Sequence, residues 1–64
     1  MLEKLIDKAL FIARCVDLNK LSTTDIVDMA CEEVCYFPDS IEDCTHLFNI
    51  TNQEVKRLKG LSIF

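Results

Sequence analysis

Sixty-four residues with a net charge of -4 sit near the lower size limit of a self-sufficient core, since so short a domain buries only about 60% of its unfolded surface. Half of the residues are apolar, which excludes the sparse aliphatic composition of a disordered chain. One Gly and one Pro leave almost nothing from which to build the tight turns of an all-β fold. The expected fold class is therefore all-α, one helical domain over residues 1–64. The start, Met1-Leu2-Glu3-Lys4-Leu5-Ile6-Asp7-Lys8, has acids where an export signal needs an unbroken apolar stretch. No segment approaches the roughly 18 consecutive apolar residues of a membrane span. A cytoplasmic setting is expected, with the four cysteines as reduced thiols, and it leaves the Asn49-Ile50-Thr51 sequon without use.

In chain order, Leu2, Leu5, Ile6, Ala9, Ile12, Ala13 and Val16 recur at the spacing of one helix face and predict a first helix over residues 2–18. Phe11 falls on the opposite side, with Cys15, Lys4 and Lys8 nearby. Three later sites carry a side-chain oxygen followed three residues on by an acid, the mark of a capping box: Ser22 to Asp25, Asp39 to Glu42, and Thr51 to Glu54. They predict helices over 23–36, 40–48 and 52–59. Ile26, Val27, Ala30, Cys31 and Val34 should be inward on the second, Ile41, Cys44 and Phe48 on the third, and Val55 and Leu58 on the fourth. Pro38 should stop the second helix, and Gly60 should supply the left-handed residue that ends the fourth. The tail Leu61-Ser62-Ile63-Phe64 is apolar enough to expect a contact for it. The architecture so predicted is a compact bundle of about four helices.

Two short helices joined by Asn49-Ile50-Thr51, with inward residues Cys44, Phe48, Ile50, Val55 and Leu58, resemble the helix-turn-helix of DNA-binding regulators from about Ile41 to Gly60. Thr45 stands where that family usually places Ala, and Asn49 where it usually places Gly. The resemblance implies that the last helix is the recognition helix and that Thr51, Asn52, Gln53, Lys56 and Arg57 are its outward, DNA-contacting residues. These residue types can pair with base edges and phosphates.

Charge opposes that reading. Between Leu21 and Val55 there are eight acids and no Lys or Arg, whereas affinity for DNA rests on cations meeting phosphates. With so few cations, DNA binding would need a dimer or a larger assembly. The rival reading is an acidic adaptor or inhibitor of a basic protein partner, with mimicry of DNA as one form of it, engaged through Phe11, Asp25, Asp28 and Glu32. Small regulators and inhibitors of phage and mobile elements share this size and charge, a likeness of style without shared residues. A homodimer through the first helix or the tail is compatible with either reading. Cys31, Cys35, Cys44 and His46 could in principle converge on a metal. Cysteines on successive helical turns are more economically small core residues, so no metal and no other cofactor is expected. No phosphate-binding loop and no nucleophile with an identifiable base is evident, so no enzymatic activity is expected.

Overall fold

A computed structural model describes residues 1–61. The described residues form three helices and no strand: α1 (Leu2–Cys15), α2 (Thr23–Val34) and α3 (Ile41–Leu61). The all-helical class stands, but three helices replace the expected four. No helix among the described residues is long and apolar enough to cross a membrane.

α1 buries Leu5, Ala9, Ile12 and Ala13, the row anticipated from the sequence, with Leu2, Ile6 and Val16 packed at its margin. It ends three residues earlier than expected. Val16 is extended, and the Asp17 carboxylate accepts the Asn19 backbone N–H at 2.9 Å, while the Asp17 carbonyl accepts from Lys20 and Leu21. A short acidic side chain that bonds its own neighbouring backbone competes with helix propagation.

α2 begins at a complete capping box. Ser22 accepts from the Asp25 N–H, and the Asp25 carboxylate accepts from the Ser22 N–H at 3.0 Å. Ile26, Ala30 and Cys31 are buried, and Val27 and Val34 pack beside them. The helix stops at Cys35, which takes a left-handed conformation (φ 59, ψ 38), well before Pro38. The Tyr36 N–H then reaches back to the Cys31 carbonyl at 3.2 Å, closing the last turn as a Schellman-type cap does.

The largest difference lies in α3, which runs unbroken for 21 residues through the expected turn. Leu47, Thr51 and Val55 are buried and Leu58 packs against the core, so steps of four, four and three residues make one continuous inward row. Thr51, expected to cap a new helix, is fully buried inside this one. Its hydroxyl donates to the Leu47 carbonyl at 2.8 Å, which satisfies the polar atom without any break in the backbone. Neither Gly nor Pro occurs among residues 48–52 to interrupt the helix. Gly60 lies within α3 and does not adopt a positive φ, so its expected role as a terminator is not realised. At the other end, the Glu42 N–H donates to the Ser40 hydroxyl at 3.1 Å, placing the cap at Ser40 where Asp39 was expected.

Leu5, Ile26 and Leu47, one from each helix, are the largest apolar side chains fully removed from solvent. Burial of each is worth about 1.5–3 kcal/mol. Thr23, at the start of α2, donates to the Asn52 side chain at 2.9 Å, and a short connector joins the end of α2 to the start of α3, so these helices run antiparallel. Lys8 pairs with Glu33 at 2.8 Å, and Arg14 pairs with Glu54 at 2.7 Å. These two contacts tie α1 to α2 and to α3.

Candidate functional site

Of the five residues expected to read DNA, Gln53, Lys56 and Arg57 share an exposed face of α3, and Thr51 and Asn52 do not. Thr51 is buried. The Asn52 side chain is half-buried and occupied by Thr23. Gln53, Lys56 and Arg57 are exposed, but the Arg57 guanidinium is held by Glu54 through contacts of 2.8 and 2.9 Å. Glu54 accepts from Arg14 as well. Hydrogen bonds from Arg57 and then Arg14 are the main reason that its carboxyl is lowered to about 2 from an ordinary 4.5. The cation best suited to guanine is thus engaged within the protein.

Of the four residues expected to meet a protein partner, one lies on α1 and three on α2. Phe11 is exposed on α1, as its position off the core row implied, and the Lys8 ammonium lies 5.8 Å from the centroid of its ring. Asp25, which also serves the capping box, Asp28 and Glu32 are all exposed on α2 at steps of three and four residues.

A different surface emerges from residues assigned to the core by their spacing. Ile41 is 84% exposed and Phe48 is 39% exposed, and Cys44 between them is exposed. Phe37, just before α3, is 62% exposed. Ile41, Cys44, Phe48 and Asn52 follow at three- and four-residue steps, so they stand in one row along α3. Because Asn52 bonds Thr23 of α2, the far end of this row lies against α2. The Cys44 thiol donates to the Pro38 carbonyl at 3.4 Å, tying the row to the connector that carries Phe37. Cys31 is buried on the α2 side. Burial pushes its thiol up, and the Asp28 carboxylate and Cys44 add to the shift.

Asp28, Asp39 and Glu42 are exposed around this row, and none of the three is in an ion pair among the described residues. The four outer positions Phe37, Ile41, Cys44 and Phe48 are therefore an apolar strip in carboxylate surroundings. A signal for it was present in the sequence. Residues 41–58 hold two helical-period rows, and Leu47 belongs to the one that takes the core.

No group of three or more metal-ligating side chains converges among the described residues. His46 is exposed. Comparison of the chain with protein-family models, with curated proteins and with solved structures finds no match.

Proposed function

We propose that this chain is a small acidic binding module, an adaptor or inhibitor, whose partner is a protein with a basic surface. The observation that carries the reading is the row of Ile41, Cys44 and Phe48, a helical-period apolar row that the fold leaves outside its core. Large apolar side chains gathered on a surface are a usual mark of a protein contact. Two aromatics, Phe37 and Phe48, provide anchors of the kind that dominate interface energetics. The partner's charge follows from the stretch Leu21 to Val55, with eight acids and no Lys or Arg. Such a surface attracts a basic partner and raises its association rate while disfavouring acidic competitors. Asp28 and Glu32, exposed on α2, would supply part of that charge.

The test is capture by the tagged chain, with and without nuclease, comparing wild type with Ile41→Ser, Asp28→Lys and Lys56→Ala. A nuclease-resistant protein should be retained by wild type and by Lys56→Ala, and lost with Ile41→Ser or Asp28→Lys. Retention of nucleic acid that needs Lys56 and ignores Ile41 and Asp28 would replace this reading with the DNA-binding one.

A further inference from the structure

The strip limits what its occupant can be, and this inference rests on the protein-binding reading above. We infer that the strip receives a cationic amphipathic helix of the partner, laid along the exposed row of Ile41, Cys44 and Phe48 on α3. Ile41 to Phe48 spans seven residue steps of helix, about 11 Å at 1.5 Å per residue, the length of two helical turns. A partner helix with apolar residues at positions i, i+3 or i+4, and i+7 presents a matching row, and helix surfaces pack by meshing such rows. Strand addition, the other common way to capture a segment, needs an open sheet edge, and the described residues contain no strand. The Thr23–Asn52 hydrogen bond occupies the position that follows Phe48 in the row, and the connector that carries Phe37 is bonded to Cys44 near its other end.

Charge selects this occupant over a second copy of the chain. Self-pairing through the strip would bring Asp28, Asp39 and Glu42 of one copy against the same carboxylates of the other, because a two-fold contact places like surfaces together. The chain's own cations lie on α1, in the loop after it and at the far end of α3. A partner helix with Lys or Arg flanking its apolar row instead meets these carboxylates with opposite charge.

The strip contains its own reporter, the exposed thiol of Cys44, and Cys15 on α1 is an exposed control. The experiment measures maleimide alkylation at each thiol while the intact chain is titrated with three peptides. The first is an 18-residue Lys/Leu peptide with its leucines on one helical face, the second has the same composition scrambled, and the third replaces Lys by Glu. The helical basic peptide should slow alkylation of Cys44 about tenfold at saturation with Cys15 unchanged. Ile41→Ser and Phe48→Ser should abolish that protection, and Phe11→Ser should not.

Equal protection by the scrambled peptide would overturn the helical occupant. So would protection of Cys44 that rises with protein concentration alone, which would signify self-association. If no peptide protects Cys44 while captured protein still depends on Ile41, the helix inference fails and the binding module stands. If capture is also indifferent to Ile41, both fail.

Discussion

α1 and α3 use their apolar residues differently. In α1 one row, Leu5, Ala9, Ile12 and Ala13, is absorbed by the core, and Phe11 is its lone large apolar side chain outside apart from the terminal Met1. α3 carries two rows. Leu47, Thr51, Val55 and Leu58 face α1 and α2, while Ile41, Cys44 and Phe48 face outward. A small domain has only one core, and a helix of two turns' extra apolar content cannot bury both sides against two neighbours. The difference teaches that helical periodicity identifies apolar rows, whereas competition for the single core decides which row becomes a surface.

That contrast can be broken most forcefully at Leu47. Because its side chain is 1% exposed, Leu47→Ala should cost about 2–5 kcal/mol, read as a lower midpoint in urea unfolding; a negligible cost would mean that the inward row is misassigned. Next in size is Gln53→Pro. In the interior of a continuous α3, proline should cost about 3 kcal/mol or more. A helix starting afresh at Thr51 would tolerate it in its first turn, so retained stability would restore the broken-helix arrangement.

Ser22→Ala removes the side-chain acceptor of the α2 capping box and should cost about 1 kcal/mol, measurable as a smaller shift of the same transition. The Arg14–Glu54–Arg57 cluster that fixes α3 against α1 gives a pH signature. Glu54 titrates at about 2 in the fold against an ordinary 4.5, so its contribution is present above about 4.5 and is lost as pH falls toward 2. Glu54→Gln should flatten the stability profile across that window, and an unchanged acid slope would remove the cluster from the account. The smallest stability effect is expected at Ile41, which is 84% exposed. Ile41→Ser should change unfolding by no more than about 0.5 kcal/mol while abolishing partner capture. A large loss of stability would place Ile41 in the core after all.

Much of the fold was legible because local chemistry specifies it. The α1 row, the Ser22–Asp25 capping box and the inward face of α2 appear where their spacing put them. The end of α2 was less legible, because nothing local requires Cys35 to adopt its left-handed backbone (φ 59). The end of α1 was missed at Asp17, whose carboxylate serves a loop amide. Of the candidate site, Asp28 and Glu32 were read as exposed acids from the sequence. Phe37 was given no role, and Ile41, Cys44 and Phe48, expected inward, are exposed. The tail contact expected for Leu61 to Phe64 lies outside the described residues beyond Leu61, whose own side chain is exposed.

By itself the sequence determined an acidic, helical chain of one domain's length, with its apolar residues set at helical period and its basic residues confined to the two ends. Only the tertiary structure decided that Thr51 lies within a helix. Its polar hydroxyl reads equally as a cap or as a donor to a carbonyl one turn back. The choice depends on whether Leu47 and Val55, four residues to either side, are buried against the other two helices. Their burial selects the continuous helix, and Ile41, Cys44 and Phe48 are left exposed.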